Sequence, residues 1–296
     1  MDLATFLIQC LNALQYGLLL FLVASGLTLI FGIMGVINLA HGSFYMIGAY
    51  MAFALSPLVA STFGGGFFAV LVVGTLLAVL LGYVLEWAFY SYLYAREHLQ
   101  QVLMTYGLIL VFEELRSLLV GDDVHGVPVP ALLAGTLPLG DLMTYPVYRL
   151  FISGVCIALA LGMYLVFTRT RLGMMIRAGS GGKEQREMVQ SLGVDIKFLY
   201  RVVFAAGVAI AVLAGMVAAP VSSVYPGMGS TVLIICFVVV VIGGIGSIRG
   251  ALVAALLIGV VDTFGKVFVP QAAGVLVYVL MALILLWKPD GLFKAG

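Results

Sequence analysis

Nine apolar runs, most of them about twenty residues long, follow one another along the chain with short polar stretches between them. A helix needs about 20 apolar residues to cross a bilayer, so these runs predict repeated membrane crossings. The composition agrees, because 64% of the 296 residues are apolar, 9% are charged and the mean hydropathy is +1.22. No room remains for a soluble catalytic domain. The runs cover about residues 6–30, 37–57, 67–90, 102–120, 147–168, 199–219, 230–248, 250–265 and 273–287.

The predicted fold is all-α, a polytopic transmembrane helical bundle of about eight to nine spans in a single domain, residues 1–296. The 36 glycines favour closely packed helices over the strands of a barrel. The second and eighth runs are the weakest predictions. Polar residues around Asn38 interrupt the second, and the eighth is short and follows GGIGSIRG, so either is a candidate for a broken or re-entrant segment.

The distribution of charge predicts the orientation. Seven of the 14 Lys and Arg residues lie between Arg169 and Arg201, so the loop of about 169–198 is expected in the cytoplasm. The stretch of about 121–146 has three aspartates and no Lys or Arg, and is expected outside. Nine crossings then place the N-terminus outside and the C-terminus inside. Five aromatic residues are interpreted as anchors at the cytoplasmic interface: Trp87, Tyr90, Tyr92, Tyr94 and Trp287.

The cytoplasmic loop contains a short predicted helix, Lys183–Leu192. Glycines break the chain before it, and Gly193 suits the left-handed position that ends a helix. Met188, Val189 and Leu192 fall on one face, which could fit a groove of another protein. Alternatively, this face packs on the ends of the chain's own spans or lies in the lipid headgroup layer.

Polar residues interrupt the second apolar run. Asn38, His41 and Ser43 place an amide, an imidazole and a hydroxyl in membrane-embedded sequence, where unpaired polar groups are costly. Gly35 and Gly42 would let the backbone break or approach a neighbour. These polar side chains could line a translocation pathway or hold a broken helix against it. The alternative is that they cap an ordinary helix end and touch no substrate.

Carboxylates also occur inside apolar runs, where they are candidates for function. Glu113 and Glu114 lie in the fourth run, and Glu113 is three residues before Arg116, a spacing that allows an ion pair. A role in structure or in lining a gate is favoured over proton relay, because the outer interface is close. Asp262, four residues before Lys266, is likewise expected to cap a helix or form an ion pair.

Glycine-rich stretches precede one span in each half of the chain. They read FGIMGVIN at 31–38 and IGGIGSIRG at 242–250, and both face the cytoplasm in the predicted topology. They could mark two related halves, as in many transporters, or reflect chance clustering of glycine. The candidates for helix breaks or close packing are Gly35, Gly42, Gly243, Gly244, Gly246 and Gly250.

Three stretches resemble a known family. The sequence EMVQSLG at 187–193 resembles the EAA-type loop of ABC importer permeases. The longer stretches are GLTLIFGIMGVINLAHGSFYMIGAY at 26–50 and FVVVVIGGIGSIRGALVAALLIGVVDTFG at 237–265. Together they resemble permeases of branched-chain amino acid ABC importers, specifically the shorter of the two membrane subunits. The segment before 187 is more glycine-rich than is typical of that family.

The resemblance implies a multi-pass subunit of a bacterial inner membrane importer for branched-chain or other hydrophobic amino acids. Its expected partners are a second homologous permease, two ATP-binding subunits, a periplasmic solute-binding protein, membrane lipid and a small-molecule substrate, with no nucleic acid. The residues implied to contact the ATPase are Glu187, Met188, Val189, Leu192 and Gly193, and the candidates for lining the pathway are Asn38, His41, Ser43 and Glu113.

The sequence argues against an enzyme. It has no GxxxxGK[ST] stretch to hold nucleotide phosphates, and no HExxH or GxSG arrangement, so we expect no catalytic residue, bound metal or cofactor, with ATP used by partner subunits. Two alternatives remain open. The importer could carry urea, short amides or aromatic carboxylates, or the chain could be a secondary carrier that works alone.

Overall fold

A computed structural model describes residues 3–63, 66–94, 96–138, 144–179, 190–191 and 193–293. These residues contain ten α-helices, which account for nearly all of the regular structure. In chain order they are α1 (Leu3–Met34), α2 (His41–Phe63), α3 (Phe67–Ala88), α4 (His98–Val120), α5 (Val147–Arg169), α6 (Arg171–Gly179), α7 (Ile196–Ser222), α8 (Met228–Gly243), α9 (Ile248–Phe268) and α10 (Ala273–Trp287).

Each of the nine predicted apolar runs forms a helix. Seven of the described helices are long and apolar enough to cross a membrane. Of the other two, α8 has 16 residues and α4 contains Glu113, Glu114 and Arg116. The eighth run, one of the two candidates for a broken or re-entrant segment, forms the continuous helix α9 of 21 residues, whose first turn is capped by the Ser247 hydroxyl.

The bundle has two central helices. In α1 and α7, 83% and 78% of the apolar stretch is buried, compared with 17% in α5 and 11% in the segment that contains α10. Helices α2, α3 and α9 pack around the central pair. The outer helices present large apolar side chains on their surfaces, which a bilayer or another membrane subunit would cover.

The two glycine-rich stretches form turns that touch each other. The chain leaves α1 through Gly35, which has φ of +68°, and enters α2 at His41 after a non-helical segment, residues 35–40. The second turn joins α8 to α9, and Gly246 in it has φ of +81°. A Cβ added to Gly32 would lie 2.8 Å from the Gly246 Cα, so the backbones are in contact. Both turns therefore lie at one end of the bundle, as the sequence predicts.

We call this end, which also contains the connections after α3 and α5, the basic end. The opposite end has the small amount of sheet. Strands β1 (Thr136–Pro138) and β2 (Thr144–Pro146) pair antiparallel before α5. The segment after α4 also pairs with the end of α7, where His125 and Val224 exchange two backbone hydrogen bonds of 2.8 Å. The His125 ring stacks on Phe53 of α2 at 4.2 Å between centroids. These contacts tie the loops of the opposite end to the helices.

Candidate functional site

Asn38 closes the turn between α1 and α2. It is completely buried, and its side-chain oxygen accepts hydrogen bonds from the Ala40 amide at 3.0 Å and from the Tyr90 hydroxyl at 2.7 Å. The first bond fixes the turn, and the second joins it to the short helix that follows α3. The interpretation of Tyr90 as an interfacial anchor is wrong, because its ring is buried against Phe204.

His41 begins α2 and is also completely buried. Its Nε2 lies 2.9 Å from the Val23 carbonyl oxygen of α1. A carbonyl only accepts, so Nε2 carries the proton of this hydrogen bond. Ser43, two residues further along α2, is also buried. The three cavities described below are lined by other residues, so a pathway-lining role for Asn38, His41 and Ser43 stays a prediction.

Glu113 belongs to an ion-pair cluster at the opposite end. The Arg116 Nε donates to its carboxylate at 3.3 Å, which confirms that the two can pair, and Arg116 Nη1 donates to Asp122 at 2.9 Å. The guanidinium lies 5.7 Å from the centre of the Tyr50 ring. Hydrogen bonds from Arg116 and Ser117 hold the pKa of the Asp122 carboxyl below its usual value. A gate-lining role for Glu113 stays a prediction.

A second ion pair was missed from the sequence. Glu86 of α3 is completely buried, and it accepts hydrogen bonds from Arg201 Nε of α7 at 3.0 Å and from the Tyr94 hydroxyl at 2.7 Å. Burial is the main cause that raises the pKa of the Tyr94 phenol, and the hydrogen bond to Glu86 raises it further. A lone carboxylate near the end of the third apolar run was the available signal. The pair joins α3 to the base of a central helix.

Several predicted glycines lie where helices touch. A Cβ on Gly42 of α2 would collide with the Gly229 backbone of α8, and Gly243 and Gly250 bring α8 and α9 into backbone contact. Gly244 begins the turn between these two helices with φ of +96°. The chain after α10 then closes over this turn, since the Leu292 amide donates to the Ile242 carbonyl at 2.8 Å.

The predicted contact segment falls largely outside the described residues. Glu187, Met188, Val189 and Leu192 lie there, so their role stays a prediction. Gly193 is described, and its φ of +87° is the left-handed conformation expected of a residue that ends a helix. Two residues later, Asp195 caps α7 by accepting a hydrogen bond from the Phe198 amide at 3.1 Å.

Two apolar cavities lie on the sides of the bundle. One of about 630 Å³ is near the basic end, between α1, α5 and α9, and its lining includes Tyr164, Arg249 and Phe293. The other, of about 580 Å³, lies between the first part of α1 and the last part of α9 and is lined by Phe6, Phe264 and their apolar neighbours.

A third cavity, of about 530 Å³, has charged side chains in its lining and lies at the opposite end, between α1, α5, α7, α8 and α9. Arg149 and Asn12 line one part of it, and Arg149 Nη1 donates to the Asn12 side-chain oxygen at 2.6 Å. Asp262 and Lys266 line another part. Their side chains are 2.5 Å apart, which confirms the predicted ion pair. We call this space the Arg149 cavity.

Comparison with known proteins gives a consistent result. Residues 9–286 match the family model described as branched-chain amino acid transport system / permease component. The chain is 30% identical to the high-affinity branched-chain amino acid transport system permease protein BraD of Pseudomonas aeruginosa, over 97% of this chain and 95% of that protein. It is 28% identical to the LivH permease of Escherichia coli K12, with the same coverage.

An archaeal relative, the probable LivH permease of Methanocaldococcus jannaschii, is 27% identical over 95% of this chain and 90% of its own length. No solved structure matches the chain. The family match spans nearly the whole bundle, including both glycine-rich turns and the residues of the Arg149 cavity. The chain therefore belongs to the permease family of branched-chain amino acid transport systems.

Proposed function

We propose that this chain is a membrane-spanning permease subunit of an ATP-driven importer for branched-chain or other hydrophobic amino acids. The observation that carries the proposal is the family match along residues 9–286, together with seven helices that are long and apolar enough to cross a membrane. The relatives named above are described as branched-chain amino acid permeases. A permease moves its substrate without chemical change, so no catalytic residue is needed.

The proposed partners carry out the parts of ATP-driven import that are not assigned to this chain. ATP hydrolysis is assigned to two ATP-binding subunits, because this sequence has no phosphate-binding GxxxxGK[ST] stretch. A second homologous permease would cover part of the apolar surface of the outer helices. A periplasmic solute-binding protein would deliver substrate to the opposite end, which is periplasmic if the basic end is cytoplasmic. The same orientation places the start of α1 outside the bacterial inner membrane and the end of α10 inside.

Coupling to the ATPase is assigned to residues 187–193. This segment is followed closely by the Asp195 cap of α7, and six residues after Asp195, Arg201 binds the buried Glu86 of α3. Force applied to the segment would therefore act on a central helix and, through a buried ion pair, on a second helix packed against it. Rocking of these helices would open the pathway alternately to the two sides.

The first test is co-purification and transport. The tagged chain is purified from its native membrane, bound proteins are identified, and the assembly is reconstituted in liposomes with leucine outside. The proposal expects an ATPase and a second permease, and uptake that requires ATP. Uptake driven by a proton or sodium gradient in the absence of partners would identify a secondary carrier instead. Competition by urea, short amides and aromatic carboxylates tests the substrate class.

The second test addresses coupling. Met188→Asp and Leu192→Asp place charge on the predicted apolar face, so we expect loss of ATPase association and at least a tenfold fall in uptake. Gln190→Asp is the matched control, because Gln190 is exposed and falls on the other face of the predicted helix. Retention of both association and uptake in Met188→Asp and Leu192→Asp would contradict the coupling role.

A further inference from the structure

The Arg149 cavity has the size of a small-molecule site. Its volume of about 530 Å³ is within the range of roughly 300–1,000 Å³ that such sites occupy. It lies between helices of a bundle, and both central helices, α1 and α7, contribute to its lining. A ligand in this position would contact elements that must move relative to one another during transport.

Arg149 carries a positive charge that no carboxylate of the described residues pairs with. Among the residues that the structure describes, no carboxylate lies within 4 Å of its guanidinium, whereas Arg116 and Arg201 each have an acidic partner. The Arg149 partners are neutral, the Asn12 amide oxygen and the Tyr145 phenol. These contacts occupy part of the five N–H donors, and a guanidinium matches a carboxylate with two parallel hydrogen bonds.

The side chains next to Arg149 hold it in place. Asn12 accepts from Arg149 at 2.6 Å and from the Tyr145 hydroxyl at 3.3 Å, and its own amide nitrogen donates to Gln9 at 3.3 Å. Asn12 is on α1, Arg149 on α5 and Tyr145 on strand β2. The guanidinium is thus held by side chains from two other elements, α1 and β2, which lowers the entropic cost of binding an anion.

The rest of the lining suits an apolar amino acid. Leu19, Ile152 and Ile235 contribute apolar wall from three different helices. Asp262 supplies a carboxylate to the same lining, and its partner Lys266 is 63% exposed, so the lysine can turn to solvent when an ammonium group arrives. The cavity therefore combines an anion-binding group, an apolar wall and a carboxylate.

We propose that the Arg149 cavity is a substrate-binding site of the permease, in which Arg149, positioned by Asn12, binds the α-carboxylate of an apolar amino acid whose side chain lies against the apolar wall. This rests on the proposed function, since it names a site for the same substrate. Binding here is weak and transient, because a transporter must release its cargo.

The test measures equilibrium binding of tritiated leucine to the full chain with its co-purifying membrane partners in lipid nanodiscs, after removal of soluble binding protein. We expect Arg149→Met to weaken leucine binding at least tenfold, or about 1.4 kcal/mol. Arg149→Lys keeps the charge without the planar fork and should give an intermediate affinity. Arg249→Met is the matched control, because Arg249 lines a different cavity, and it should bind as the wild type does.

Competition with fragments of leucine tests which group Arg149 binds. In the wild type, 4-methylpentanoate, which keeps the carboxylate, should compete, and isoamylamine, which keeps only the amine, should compete at least tenfold less well. Arg149→Met should remove this preference. Because this comparison is made within each preparation, it stays decisive if a substitution lowers the folded yield.

Three results would overturn the site. The first is wild-type affinity in Arg149→Met, and the second is no saturable leucine binding by the wild type. The third is an equal loss of leucine affinity in Asp141→Asn. Asp141 lies outside the described residues, and such a loss would mark it as the partner of Arg149 in a structural ion pair. ATP-driven uptake of leucine, measured on the same preparations, separates the two proposals. If uptake persists although leucine binding does not depend on Arg149, the proposed site is wrong and the importer function is retained.

Discussion

The two ends of the bundle use polar side chains in different ways. In the half of the bundle nearer the basic end, Asn38, His41 and Glu86 are completely buried, and each is joined by a hydrogen bond to a different segment of the chain. At the opposite end, Arg149 and Asp262 lie around a cavity of about 530 Å³. Sequence alone makes all five residues look alike, as polar groups within or beside apolar runs.

The two ends differ in where each polar group finds its hydrogen-bond partner. A polar group buried in packed protein must find its partner inside the fold, so its removal leaves another buried group without a partner. A polar group at a cavity can take its partner from solvent or from a ligand. The basic end is therefore expected to respond to substitution mainly through stability, and the opposite end mainly through binding.

The largest effect is expected where backbones touch. Gly42→Leu would drive a side chain into the Gly229 backbone, and overpacking of this kind costs about 3 kcal/mol. We expect most of the protein to be lost from the monodisperse peak in detergent size-exclusion chromatography. Gly162→Leu on α5 is the control, because nothing lies within 4 Å of a Cβ there. Equal losses in the two variants would contradict the distinction between the tightly packed contact of α2 with α8 and the open position on α5.

Loss of the buried carboxylate should rank next. Glu86→Ala leaves Arg201 and the Tyr94 hydroxyl without their acceptor, and we expect a cost of about 2 kcal/mol, reduced from the fully buried case because the Arg201 side chain is 26% exposed. The measurement is the thermal midpoint in nanodiscs. Asp262→Asn breaks the more exposed pair at the opposite end and should cost below about 1 kcal/mol. The reverse order would contradict the contrast between the ends.

A single hydrogen bond at the basic end should have a smaller effect. Tyr90→Phe removes the hydroxyl that donates to Asn38 and should destabilise the protein by about 1 kcal/mol. Tyr92→Phe is the matched control, because Tyr92 is 73% exposed, and its thermal midpoint should equal that of the wild type. An unchanged midpoint in Tyr90→Phe would show that the turn at residues 35–40 does not depend on this bond.

The smallest effect is a pH dependence at the opposite end. The Asp122 carboxyl has a lowered pKa in the folded protein, so its contribution to stability is complete above the unfolded value, about 3.9, and is lost as pH falls through the folded pKa. The pepsin sensitivity of the segment after α4 should rise as the pH falls below 4, since pepsin is an aspartic protease that works in acid. The increase should be weaker in Asp122→Asn, and an identical pH profile in that variant would contradict the assignment.

Local sequence was a good guide to pairs within one helix. Glu113 with Arg116, and Asp262 with Lys266, were predicted from spacing alone and are present. It was a poor guide to Tyr90, which shares its interfacial sequence context with the exposed Trp87 and Tyr92 but packs inward. Helical periodicity fixes which residues are neighbours on one helix, but the direction in which a side chain faces the bundle depends on how the helices are arranged.

The amino-acid sequence was enough to place the helices, because about 20 apolar residues must form a hydrogen-bonded helix in lipid whatever lies next to them, and its motifs were enough to indicate the family. It also located the two glycine-rich turns. The folded bundle was needed to show that these turns touch, that Glu86 binds Arg201 across 115 residues, and that Asn12 and Arg149 meet at a cavity. Such contacts join residues far apart in the chain, and they exist only once the helices have packed.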